Sequence, residues 1–136
     1  MEGVQMKRNV LILICLGLFL TTTGCAALVA GTAAGAGVFS YYKGELTRSY
    51  PESYTQTVAV CLETLEALKI TLEGKEADGI KTHISARQTD GTPVTVKVTS
   101  IAPRITEVSV RSGLVGFWDK KVSELIHATI AKKIQP

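Results

Sequence analysis

The chain has 136 residues, 46% of them hydrophobic and 20% charged, with a mean hydropathy of +0.22, which is material for one small domain. Fifteen Lys and Arg against twelve Asp and Glu leave a net charge of +3, scattered without a basic stripe. That excludes the electrostatic footprint of a nucleic-acid binder. Three cysteines and two histidines are too few for a disulfide framework or a dense metal centre, so no metal and no cofactor is expected.

Lys7 and Arg8 precede an uncharged run from Val10 to Leu20. A short basic segment ahead of about 7–15 apolar residues is the pattern of a secretory signal. Thr21-Thr22-Thr23-Gly24-Cys25 comes next, small residues and then a cysteine. This resembles the lipobox of bacterial lipoproteins, in which a peptidase cuts just before a diacylglycerol-bearing cysteine. The resemblance implies that residues 1–24 are a signal peptide and that Cys25 is the lipidation site, the acylated N-terminus of the mature protein. Thr22 stands where that pattern favours leucine. Met6 is a second candidate start.

Two rival readings of the segment stay open. An ordinary cleaved signal is one. An uncleaved helical anchor is the other, since about 20 apolar residues span a bilayer and no charge falls between Val10 and Val38. Against that anchor stand Gly17, Gly24, Gly31, Gly35 and Gly37, each costing about 1 kcal/mol in a helix. Ala26 after the cysteine resembles the outer-membrane sorting choice. In a Gram-negative cell the expected location is therefore the outer membrane, facing the periplasm.

With Cys15 removed and Cys25 acylated, Cys61 stands alone and is expected to be a buried, inert thiol. From Cys25 to residue 42 the chain reads as a Gly/Ala-rich tether. The Gly31–Gly35 spacing leaves a self-associating or membrane-inserted helix as an alternative.

The folded part is expected over residues 43–136. Gly44 to Tyr50 alternates as a strand, and Pro51 suits the opening of a helix. Tyr54, Val58, Cys61, Leu62, Leu65 and Leu68 then recur at three- and four-residue steps, which predicts an amphipathic helix over 52–68. Ile70–Lys75 reads as a short strand and 76–79 as a turn. Ile80–Gln88 alternates again, Asp90-Gly91 signals a hairpin, and Val94, Val96 and Val98 share one strand face. Ala102-Pro103-Arg104 turns into Ile105–Arg111, with Val108 and Val110 inward. A last helix follows, its apolar side carrying Val122, Leu125, Ile126, Thr129, Ile130 and Ile134. The order β-α-β-β-β-β-α gives an α+β fold of two layers: a mainly antiparallel four- to five-stranded sheet with two helices on one face.

Several local motifs carry a further resemblance. They are the Gly/Ala run after the cysteine, Tyr42-Lys43-Gly44-Glu45-Leu46, Tyr50-Pro51, Thr89-Asp90-Gly91-Thr92, and Arg111 to Gly113 leading into Gly116-Phe117-Trp118-Asp119. Together the chain resembles a family of small bacterial lipoproteins of unknown function. That family brings no catalytic residues to carry over.

Chemistry is sparse. His83 reads as a solvated strand residue and His127 as a solvated helix residue, so no Ser-His-acid arrangement or zinc spacing forms. Glu63 and Glu66 fall on the outer face of the first helix. Lys132 and Lys133 suit the negative end of the last helix. Lys120 and Lys121 lie at its opposite end, where they can meet anionic headgroups or cell-wall polymer. Leu114 to Trp118 reads as a plug seating the last helix or as an exposed edge, with Phe117, Trp118, Lys120 and Lys121 as the binding candidates. Asp119 is the expected helix cap. The expectation is a lipid-anchored, non-catalytic structural or binding module, held to the membrane and meeting an envelope protein or cell-wall partner. Its rivals are a carrier of an apolar ligand between helices and sheet, and an envelope enzyme.

Overall fold

The computed structural model describes residues 2–21 and 39–135. Cys25, the expected tether segment 26–38 and its Gly31–Gly35 pair lie outside the described residues. Within the first compact unit, the described residues form one helix, α1 (Glu2–Thr21). Among the described residues no helix is long and apolar enough to cross a membrane.

The second unit comprises β1 (Ser40–Tyr42), β2 (Glu45–Tyr50), α2 (Tyr54–Ala67), β3 (Thr71–Asp78), β4 (Lys81–Arg87), β5 (Pro93–Ala102), β6 (Ile105–Leu114), β7 (Phe117–Trp118) and α3 (Lys120–Ile134). The seven strands form one antiparallel sheet in the order β1-β2-β6-β5-β4-β3, with β7 pairing β6. The α+β class expected from sequence is therefore present, with more strands than the four or five expected. The additions are β1 and β7, three and two residues long, too short for alternation to reveal. Ser40–Tyr42, read above as the end of the tether, is paired sheet. β3 also runs on to Asp78, into the expected turn at 76–79, and leaves only Gly79 of it in the turn. A register shift between Leu72 and Gly74 interrupts the alternation that would mark it.

The core forms where the strand period puts valines on one face. Leu46 pairs with Val110, Val110 with Val96 and Val96 with Ile84, a continuous row across four strands. These four are essentially unexposed. Val60, Cys61 and Leu65 from α2 and Ile126 and Ile130 from α3 join that cluster, so both helices cover one face. The opposite face is polar and internally paired. Thr47 Oγ1 lies 2.7 Å from Ser109 Oγ, and Lys97 Nζ lies 2.6 Å from Glu45 Oε1.

Both helices are rotated from the sequence reading. α2 starts after Ser53, whose Oγ accepts from the Gln56 N–H at 3.4 Å, rather than at Pro51. It buries Thr57, Val60, Cys61, Thr64 and Leu65, while Tyr54, Val58, Leu62 and Leu68 pack at the margin. α3 is capped by Asp119 as expected, Oδ1 accepting from the Val122 N–H at 3.3 Å. It buries Ser123, Ile126, His127 and Ile130, and leaves Leu125 52% exposed.

Candidate functional site

Strand β2 turns Leu46, Arg48 and Tyr50 toward the helices, and α3 meets them with His127. The ring Nε2–H of His127 donates to the Leu46 carbonyl at 2.7 Å. A carbonyl only accepts, so Nε2 carries the proton of the neutral ring, and Nδ1 accepts from the Tyr50 hydroxyl at 2.8 Å. That hydroxyl also lies 3.1 Å from the His127 carbonyl. The Tyr50 ring stacks on the imidazole with centroids 6.0 Å apart, and Phe39 meets it edge-on at 5.6 Å. The Arg48 guanidinium rests between the Phe39 and Tyr50 rings, 5.2 and 5.1 Å from their centroids.

Burial holds the His127 imidazole down at about 4, opposed by its bond to Leu46 and assisted by the Arg48 charge. Burial likewise pushes the Tyr50 phenol up. The expectation that His127 is a solvated residue is thus overturned: it is 0% exposed. Its two ring nitrogens are both engaged, and it fastens α3 to β2 instead of presenting an edge to a substrate. Hydrophobic periodicity missed it because Leu125 competes for the stripe and its partners lie 77 and 81 residues away. His83 is exposed on the polar face, between Lys97 and Glu76 in register. Cys61 is a buried free thiol pushed up by burial to about 12.

A second constellation is exposed. Lys43 (φ 48°) and Gly44 (φ 80°) form the two-residue turn between β1 and β2, both in the left-handed region that this tight hairpin requires. The Trp118 ring lies directly on Gly44, where any Cβ would fall inside it. The Arg111 guanidinium sits 5.6 Å from the Trp118 centroid. Gly116, at φ 87°, turns β6 back into β7. The two sequence readings of this loop therefore divide by residue. Trp118 is the plug, while its neighbours Val115 and Phe117 stand 86% and 82% exposed.

Lys120 Nζ lies 5.4 Å from the Tyr41 centroid and 3.4 Å from Glu124 Oε1. Lys121 follows it, exposed on the first turn of α3. Tyr42 is also exposed, with Lys43 Nζ 5.3 Å from its ring centroid. The fold thus gathers Phe117, Trp118 and Lys120 with Tyr41, Tyr42 and Lys43, three residues that the sequence reading left outside the site. The Lys-Gly pair after two tyrosines is the turn signal that marks them.

A groove of about 650 Å³ opens at the rim, between the end of α2 and the start of β3, where Leu62, Leu65, Ile70 and Leu72 are accompanied by Glu63, Glu66 and Lys69. A smaller pocket of about 100 Å³ lies where Leu68 and Ile70 face Val122, Leu125 and Gln88. Among the described residues no three His, Cys, Asp or Glu side chains cluster to hold a metal. A model of a family described as a protein of unknown function (DUF3568) matches residues 9–133. No curated protein matches the chain.

Proposed function

The chain belongs to the DUF3568 family, whose function is unknown, and from that premise we propose that it is a lipid-anchored cell-envelope protein whose domain is a non-catalytic structural or binding module. The observation that carries this reading is Cys25, set directly after Thr22-Thr23-Gly24 at the end of the apolar run that follows Lys7-Arg8. Acylation there supplies membrane attachment that the domain's scattered charge does not, since each buried methylene contributes about 0.8 kcal/mol. The non-catalytic part rests on His127, whose nitrogens are both committed inside the core. With Ala26 following the cysteine, the outer membrane facing the periplasm is the proposed location in a Gram-negative cell, and an envelope protein or cell-wall polymer the proposed partner.

Growth of a bacterial host on a clickable fatty acid tests this. The wild-type chain takes up label, Cys25→Ala does not, and Cys61→Ser labels normally. Absence of label on the wild type refutes the anchor. The rim groove favours one second reading, a carrier of a small apolar ligand. Purified protein would then release a lipid-sized molecule detectable by mass spectrometry, and a clean spectrum removes this reading.

A further inference from the structure

We propose that the edge built from Tyr41, Tyr42, Lys43, Phe117, Lys120 and Lys121 docks the domain against the anionic headgroups of a lipid bilayer. Three observations converge on it. The first is apolar exposure. Phe117, Val115 and Tyr42 project into solvent from two adjoining turns, while the Trp118 between them is held by Gly44 and Arg111. Apolar side chains exposed together and rimmed by polar groups mark an interaction surface, whereas singly scattered ones do not.

The second is charge. Lys43, Arg111, Lys120 and Lys121 flank these side chains, and the acids nearby are Asp119, Glu124 and Glu45, the last in register with Tyr42 and Arg111 and paired with Lys97. Asp119 is occupied in capping α3, and Glu124 is paired with Lys120. The surface left is positive and aromatic. Tyrosine and phenylalanine with long-stemmed lysines is the composition favoured at headgroup depth, where rings enter the interface and ammonium groups reach the phosphates. Two other surfaces fit an anionic bilayer less well. The polar sheet face pairs its own charges, and the rim groove carries Glu63 and Glu66.

The third is position. Residues 26–38 separate Cys25 from Phe39, at most about 50 Å of extended chain. Strand β1 begins right after Phe39, so this edge is the part of the sheet closest along the chain to Cys25. The docking rests on the acyl-anchor reading only for this nearness, and the lipid preference stands on the edge itself.

The test uses the full chain on vesicles of phosphatidylcholine, with and without phosphatidylglycerol, bromine-labelled at shallow acyl positions. Trp118 is the single tryptophan. The exchange Phe117→Trp with Trp118→Phe moves the indole to the exposed tip, and the native chain serves as the second probe. Docking is expected to quench the tip indole and shift its emission to the blue when phosphatidylglycerol is present, with weak quenching on phosphatidylcholine alone. Lys120→Gln and Lys121→Gln should each lower the docked-to-free ratio about fivefold, with melting temperature unchanged. Salt of about 0.5 M should act in the same direction. A chain that floats with the vesicles but shows no quenching overturns the docking. So does quenching that ignores phosphatidylglycerol and both lysines, the result expected if the edge serves a protein or glycan partner. Failure of the anchor is read separately, as missing fatty-acid label on Cys25.

Discussion

Mild acid should destabilise this domain before its carboxylates titrate, through His127. In an unfolded chain the imidazole has its ordinary value of 6.5, and in the folded domain burial holds it at about 4. Between those values the unfolded state binds the extra proton. Stability is therefore whole above about pH 6.5 and declines as pH falls toward 4. The loss amounts to about 2 kcal/mol at pH 5 and about 3 kcal/mol at pH 4. That is a large share of the roughly 5–15 kcal/mol that holds a small domain folded. Urea titrations followed by circular dichroism at pH 7, 6 and 5 read it as a falling midpoint. His127→Gln should begin less stable at pH 7 and remain nearly flat between pH 7 and 5. Tyr50→Phe leaves Nδ1 without its donor, at a cost of about 1–3 kcal/mol at pH 7. Equal midpoints for wild type at pH 7 and pH 5, or an equally steep decline in His127→Gln, would refute the linkage.

Other outcomes follow from the packing. Leu65 is 2% exposed at the centre of α2's buried face, so Leu65→Ala should cost about 2–5 kcal/mol in urea unfolding; an unchanged midpoint would mean that α2 does not pack there. Gly44→Ala places a methyl inside the Trp118 ring at a left-handed backbone position, which should cost at least about 1–3 kcal/mol and shift Trp118 emission to the red. Cys61, buried and raised to about 12, should resist iodoacetamide at pH 8 in the folded chain and react on unfolding. Peptide mapping distinguishes it from the other cysteines.

How far the sequence speaks depends on the range over which a signal acts. Val94, Val96, Val98, Val108 and Val110 were legible because strand alternation is local and each of their strands is ten residues long. Asp119 and the Lys132–Lys133 pair were legible for the same reason, since capping acts within one turn. The short strands were not, because three residues of β1 and two of β7 hold no period to read. Helix rotation was only partly legible. On α3 the apolar residues wrap too widely for hydrophobicity to choose between the Leu125 and His127 sides. The choice falls to two hydrogen bonds whose partners lie on β2, and no window along the helix contains them. The exposed edge shows the same division. Phe117, Trp118, Lys120 and Lys121 are neighbours in sequence and were found together. Tyr41 and Tyr42 reach them only through the Lys43–Gly44 turn.

That turn links the buried constellation to the exposed one. The β1–β2 hairpin grips α3 at two places, through Gly44 beneath Trp118 just ahead of the Asp119 cap, and through Leu46 and Tyr50 on His127. Trp118 precedes the cap by one residue, and His127 lies two turns into the helix at about 5.4 Å per turn. Two separated holds fix both the place and the rotation of α3, where either alone would leave it a pivot. Rotation is what sets Lys120 beside Tyr41 and keeps Leu125 outward. The buried imidazole therefore bears on the surface without touching it: it sets the angle at which α3 presents its first-turn lysines beside Phe117.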